Sequence, residues 1–189
     1  MLTLQDVNAL SREEFVARLG FLFEGSPWIA AETWPARPFE SLDALHAALL
    51  DTVARAGRER QLALIRAHPD LAGKAAVAGE LTPESTREQA AAGLSQLTPD
   101  EYAEFTRLNQ AYRERFGFPF VICAREHNKT SILAQFAARL RNSPDEEVAT
   151  ALAEIGKIAR LRLLDVVSSE AGGRGSSEPP AGGAGAPQR

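Results

Sequence analysis

The chain has 189 residues, room for one domain with a tail or two small ones, and its 44% apolar and 24% charged content is that of an ordinary soluble globular protein. A net charge of −4 with no run of Lys or Arg argues against nucleic acid or an anionic membrane as partner, because both are bound through clustered positive charge. One cysteine, Cys123, excludes an internal disulfide and fits a reducing compartment, no apolar run approaches the ~20 residues of a membrane span, and the N-terminus lacks a basic and then apolar leader, so a soluble, cytoplasmic protein is expected.

Helix punctuation is dense from the start. Ser11-Arg12-Glu13-Glu14 is a capping box, Phe15, Val16 and Leu19 follow on one face, and Gly20 closes the turn. Ser26-Pro27-Trp28 reads as a cap with Pro at the first helical position, opening a short helix that Pro35 and Pro38 break. Ser41 caps a longer helix carrying Leu42, Leu45, Leu49 and Val53, with Gly57 as its stop. A helix from about Arg58 runs into His68-Pro69, and Asp70 is placed to cap another reaching about Ala78. Thr82-Pro83 enters a short Ala-rich helix weakened by Gly93, and Thr98-Pro99-Asp100-Glu101 opens a long one with Tyr102, Phe105, Leu108, Tyr112 and Phe116 near one face. Residues 117–124 form the only β-like run, apolar and β-branched in the middle. A helix with Ile132, Leu133, Phe136 and Leu140 ends at Asn142, and Ser143-Pro144 starts the longest helix, to about Val167. From Ala171 the composition collapses to Gly, Ser, Pro and Ala, which cannot bury enough apolar surface to order itself. The expectation is an all-α fold, a single compact multi-helix domain over residues 1–170, with a disordered tail over 171–189 that has no part in the chemistry.

Three side chains break the pattern. Val148, Leu152, Ile155, Ala159 and Val166 recur at offsets of three and four, and Arg162 occupies a slot in that same core-facing stripe. A guanidinium there is either an edge residue, a charge buried against a structural acid, or an anion-binding group. Pro69 pushes His68 out of the helical region, presenting its imidazole at a helix end; the plainer reading is an imidazole capping the helix C-terminus. Ser85-Thr86-Arg87-Glu88 is a capping-box pattern, which on its own makes Glu88 structural, and Gln89 beside it suits either a polar ligand or solvent. Cys123 ends an apolar run and reads as a packed small hydrophobe. A metal site from His68, Asp70 and His127 lacks any tight ligand spacing, and no phosphate loop or nucleophile elbow is present.

These oddities fall inside four blocks: His68-Pro69-Asp70-Leu71-Ala72; Ser85-Thr86-Arg87-Glu88-Gln89 with Ala92-Gly93-Leu94; Phe116-Gly117-Phe118-Pro119-Phe120-Val121-Ile122-Cys123-Ala124; and Glu154-Ile155-Gly156-Lys157-Ile158-Ala159-Arg160-Leu161-Arg162-Leu163. In order and spacing they resemble the signature blocks of the OHCU decarboxylase family, which acts on 2-oxo-4-hydroxy-4-carboxy-5-ureidoimidazoline late in the conversion of urate to allantoin. With the entry Phe23-Glu24-Gly25-Ser26-Pro27-Trp28, the likeness spans about residues 5–168. It implies an all-helical homodimer that needs no metal or organic cofactor and makes (S)-allantoin from a small ureidoimidazoline. It also implies His68 and Glu88 as catalytic residues and Arg162 as the substrate anchor. Pro69, Ser85 and Gln89 match substrate-contacting positions, and Phe120, Val121, Ile122, Cys123 and Ala124 match a segment that reads the ring through main-chain groups. His68 is expected to work as acid and base from an ordinary imidazole pKa near ~6.5. The competing readings are a non-catalytic helical interaction module and a metal-dependent hydrolase using His68 and Asp70.

Overall fold

Most helices begin where the sequence supplies a short polar side chain. In a computed structural model of the protein, which describes residues 1–168, ten α-helices follow one another with short connections. They are α1 (Leu4–Ala9), α2 (Arg12–Leu19), α3 (Trp28–Thr33), α4 (Leu42–Arg55), α5 (Arg58–Arg66), α6 (Lys74–Ala78), α7 (Pro83–Ala91), α8 (Pro99–Phe116), α9 (Lys129–Arg139) and α10 (Pro144–Val166). Ser11, Thr98 and Ser143 close full capping boxes with Glu14, Glu101 and Glu146, and Ser41 and Thr82 accept from the amides of Ala44 and Ser85. Each such cap satisfies amides that a helix start otherwise leaves without partners.

The long helix α10 organises the rest. It packs against α4, α5 and the 3₁₀ turn Gly20–Leu22, while α2, α3 and α4 stack in sequence beside it and α8 pairs with α9. Gly156 permits the close crossing on α4, since a Cβ there would stand 3.2 Å from the Leu50 side chain, and its carbonyl meets His46 Nε2 at 2.8 Å. The core around these helices is aliphatic with an aromatic cluster of Phe105, Tyr112, Phe120 and Phe136.

Several local expectations are corrected. Ser26 does not cap α3; its hydroxyl turns back to the Glu24 carbonyl at 3.0 Å, and Pro27 precedes the helix with no side-chain cap. Asp70 caps nothing either, because α6 starts four residues later behind Gly73 and the Asp70 carboxylate is drawn to Arg113 at 2.8 Å. Residues 117–123 make no strand: Gly117 is the left-handed cap of α8, no sheet partner lies alongside the residues that follow, and the run ends in a 3₁₀ turn, Ala124–Glu126. The helix expected to reach Asn142 stops at Arg139. A two-residue parallel pairing of Leu2–Thr3 with Val167–Ser168 joins the start of the chain to the end of α10. The expected boundary at residue 170 and the tail beyond it lie outside the described residues.

Candidate active site

His68 follows α5, where its backbone N–H still bonds the Ile65 carbonyl at 3.2 Å before Pro69 ends the helical course. Its ring Nδ1 lies 2.9 Å from the Leu64 carbonyl, which can only accept, so Nδ1 carries the proton and Nε2 is the nitrogen left with a lone pair. The plainer sequence reading, an imidazole on a helix carbonyl, is therefore part of the geometry. The expected pKa is not: burial, only partly opposed by the Leu64 bond and the nearby Glu24 charge, pushes the imidazole down to about 4. At neutral pH His68 is an uncharged base.

The chain after His68 is pinned from outside. Gln89 on α7 accepts from the Ala72 amide at 2.9 Å and donates to the Asp70 carbonyl at 3.3 Å, and Asn109 on α8 donates to the Leu71 carbonyl at 2.8 Å. These bonds hold Ala72 at a φ of +50°, a left-handed conformation that costs a residue with a Cβ roughly 1–2 kcal/mol. Gly73 is required beside it, because a Cβ there would fall 2.7 Å from the Asp70 Cβ.

Arg162 projects from the buried face of α10 and is only 3% exposed, yet none of its five N–H groups is idle. Nε and Nη2 fork onto Glu88 at 2.8 Å each. Nη1 donates to the Phe21 carbonyl and to Glu24 at 3.1 Å each, and Nη2 lies 3.5 Å from the Ser85 hydroxyl. Burial would lower the guanidinium pKa, but the two carboxylates outweigh it and raise it. Glu88 is thus not a helix-capping residue; Thr82 caps α7, and Glu88 sits a turn further in. Glu24, which the motif reading did not single out, is the second acid. The signal for it was indirect: a buried arginine demands an acid, and Glu24 stands in the Phe23-Glu24-Gly25-Ser26-Pro27-Trp28 block.

Residues 120–124 are held by a buried ionic cluster. Glu147, fully buried, accepts from Tyr112 Oη at 2.5 Å, from Arg139 Nε at 2.5 Å and from Asn142 at 2.9 Å. Arg139 in turn donates to the Val121 carbonyl at 2.6 Å and stacks 4.2 Å over the Phe120 ring. Burial and the neighbouring Glu147 carboxylate push the Tyr112 phenol well above its usual pKa, so it stays a donor.

One narrow hollow collects these groups. His68, Pro69, Ser85, Glu88, Gln89, Phe120, Val121, Ile122, Ala124 and Arg162 all line it, together with Leu71 and Ile158. Cys123 does not: its side chain is buried, its amide donates to Glu154 at 2.8 Å, and burial pushes its thiol up to about 11. Asp70 faces away toward Arg113, and no group of three or more His, Cys, Asp or Glu side chains suited to a metal occurs among the described residues. About 30 Å³ of the hollow is open to a water-sized centre, enough for two or three waters. The Glu88–Arg162 pair is its partition from a second hollow of about 300 Å³ lined also by Phe21, Arg87, Arg125 and Asp165.

A family model described as OHCU decarboxylase matches residues 8–164. The chain belongs to the OHCU decarboxylase family. A 2-oxo-4-hydroxy-4-carboxy-5-ureidoimidazoline decarboxylase of Haloferax volcanii is 46% identical over 169 residues, covering 89% of this chain and 98% of the relative. The crystal structure of an (S)-allantoin synthase superposes with a TM-score of 0.71 at 29% identity over 89% of this chain; this chain covers 54% of that one, so it spans about half of its length. A crystal structure of an OHCU decarboxylase in the presence of (S)-allantoin shares the fold, with a TM-score of 0.62 at 23% identity, covering 81% of this chain and 96% of that one. The all-helical fold of the described residues is therefore shared with these solved neighbours over the aligned part, and the ten residues lining the hollow that the motifs picked out lie within the matched span. No helix among the described residues is long and apolar enough to cross a membrane.

Proposed function

We propose that this family member converts 2-oxo-4-hydroxy-4-carboxy-5-ureidoimidazoline to (S)-allantoin in urate degradation, using neither metal nor organic cofactor. What carries the reading is the convergence of His68, Glu88 and Arg162, from three separate elements, on one hollow walled by residues 120–124. The substrate supplies its own electron sink. When the C4–carboxylate bond breaks and carbon dioxide leaves, the bonding pair is taken up through the ring C=N unit, leaving a 4-hydroxyl enol and a basic ring nitrogen. Solvent protonates that nitrogen. The enol then becomes the carbonyl of allantoin by losing its hydroxyl proton and gaining one at C5.

His68 serves this last exchange as a base first. With Nδ1–H fixed on Leu64, the Nε2 lone pair takes the hydroxyl proton, and the imidazolium so formed returns it to C5 from one face, giving a single enantiomer. Arg162 holds an oxygen-rich edge of the substrate through its Nε/Nη2 fork, the edge that Glu88 occupies in the structure. Glu88 then lies beside the departing carboxylate, where its charge raises the energy of the bound anion and steadies the imidazolium. Pro69, Ser85, Gln89 and the main chain of residues 120–124 shape the ring site; Gln89 does so chiefly by fixing the loop after His68.

The working form is proposed to be a cytoplasmic homodimer in which residues 1–170 carry the activity. Freshly generated urate-oxidation intermediate, purified protein and circular dichroism for chiral allantoin test the reaction directly. Appearance of the dichroic product no faster than in buffer ends this reading and leaves a non-catalytic helical module. Loss of activity on chelation, restored by metal, favours the hydrolase class instead.

A further inference from the structure

We infer that Glu24 is the positioning residue of this site: it fixes the Arg162 guanidinium and the Ser85 hydroxyl for the substrate, so that Glu88 alone gives way when the substrate enters. The inference rests on the reaction proposed above. It begins with the Arg162 Nε/Nη2 fork, which Glu88 holds at 2.8 Å on each side, so a substrate oxygen that takes the fork has to displace a carboxylate. Two carboxylates sit on Arg162, and they are held very differently.

Glu24 is fixed from backbone to carboxylate. It sits in a tight turn closed by the Ser26 amide on the Phe23 carbonyl at 3.1 Å, with Gly25 at a φ of +56°. A Cβ on Gly25 would meet the Ala67 side chain at 3.4 Å, so the turn lies against the residue preceding His68. Its Oε1 accepts from Thr82 Oγ1 at 2.9 Å, and its Oε2 from Ser85 Oγ at 3.2 Å and Arg162 Nη1 at 3.1 Å. Three donors from two helices meet one carboxylate whose side chain is 8% exposed. Glu88, 14% exposed and facing both hollows, accepts only from the Arg162 fork among the described residues. Glu24 does not line the hollow itself, so it acts through the groups it holds.

Two consequences follow for the substrate. Arg162 keeps a permanent counter-ion on its Nη1 edge, which turns the Nε/Nη2 edge toward the hollow and leaves the protein a compensated charge when Glu88 departs. Ser85 donates its hydroxyl hydrogen to Glu24 and turns one lone pair to Arg162 Nη2, so its remaining lone pair accepts an N–H from the ureido arm or the ring amide.

The test is Glu24→Gln and Glu24→Asp in the dichroism assay, alone and with Arg162→Lys, beside a crystal structure of Glu24→Gln. With its one remaining carboxylate, the guanidinium of Glu24→Gln grips Glu88 harder, and KM rises about tenfold to a hundredfold, the scale of one hydrogen bond to a buried charge, while kcat changes by less than about threefold. Glu24→Asp, which keeps the charge, recovers part of the loss, and Glu24→Gln adds little once Arg162 is already Lys. The crystal structure shows the guanidinium turned and the Ser85 hydroxyl rotated. Wild-type KM in Glu24→Gln, a loss confined to kcat, losses that multiply with those of Arg162→Lys, or an unmoved guanidinium would each overturn the inference. Should Glu24→Gln fail to fold, Glu24→Asp decides it through the same KM and its coupling to Arg162→Lys. A wild-type protein without turnover removes the proposed reaction, and the crystal comparison still decides whether Glu24 sets the guanidinium.

Discussion

Acidification should expose the cost of the buried imidazole. Above pH 6.5 His68 is neutral in both folded and unfolded chains and contributes nothing to the pH dependence. Below it, the unfolded chain takes up a proton that the folded site, with its imidazole pushed down to about 4, refuses. Stability therefore drains away from about pH 6.5 and the loss is complete near pH 4, below which both states bind the proton. At about 1.4 kcal/mol per pH unit, the gap from 6.5 to about 4 amounts to about 3 kcal/mol, a large share of the ~5–15 kcal/mol typical of a domain. Carboxylates titrate in the same window, so the measurement is a difference: urea unfolding at 25 °C from pH 7.5 to 3.5, followed by tryptophan fluorescence, for wild type and His68→Asn. Asn can still donate to the Leu64 carbonyl but does not titrate. The two stability curves should converge by about 3 kcal/mol in favour of the variant between pH 7 and 4. In the same range kcat/KM should hold down to about pH 5 and fall near 4, because only the neutral ring takes the hydroxyl proton. Parallel stability curves, or an NMR titration of the His68 ring with its midpoint near 6.5, would refute the desolvated base.

Further outcomes follow from the same contacts. His68→Ala and Glu88→Ala should remain folded by circular dichroism yet lose on the order of 10²–10⁴ in turnover, the worth of a positioned acid–base group. Glu147→Gln should lower stability by about 3–5 kcal/mol in a denaturant melt, since it strands the buried Arg139 charge, and should raise KM because Arg139 no longer fixes the Val121 carbonyl. Gly73→Ala should shift the loop after His68, seen as lost turnover with a lowered melting temperature, because its Cβ has no room beside Asp70. A chain ending at residue 170 should keep the kcat/KM of the full chain.

The helices were legible because their starts are local: Ser11, Ser41, Thr98 and Ser143 each find their amide partner three residues on, within reach of any pattern reading. The misread caps, Ser26 and Asp70, have the same local signature but a stronger partner elsewhere, a turn carbonyl in one case and Arg113 in the other. Residues 117–124 have strand composition without a strand, since Tyr112, Arg139 and Glu147 hold that segment in place of a neighbouring backbone. Arg162 announced itself as a charge in an apolar stripe, but its partners lie 74 and 138 residues away and no periodicity encodes them. The resemblance supplied His68, Glu88 and Arg162 as a set. It could not supply their charge states, which depend on burial.

Those charge states bear on why a carboxylate would leave here without a cofactor. A neutral imidazole, one guanidinium and two carboxylates give the site a net charge of about −1. An anionic substrate that takes the Nε/Nη2 fork from Glu88 brings a further negative charge beside the Glu88 and Glu24 carboxylates, in a narrow hollow where screening is weaker than in bulk water. The site is then strained electrostatically in the ground state, and carbon dioxide departs as a neutral molecule, leaving charge that is delocalised over the ring and quenched by a proton. The relief is specific to the transition state, so it raises kcat rather than tightening substrate. Neutralising Glu88 should accordingly separate the two effects: Glu88→Gln lowers KM by freeing the fork and lowers kcat by removing the repulsion. A variant in which KM and kcat both stay near wild type would show that Glu88 is only the guanidinium's resting partner.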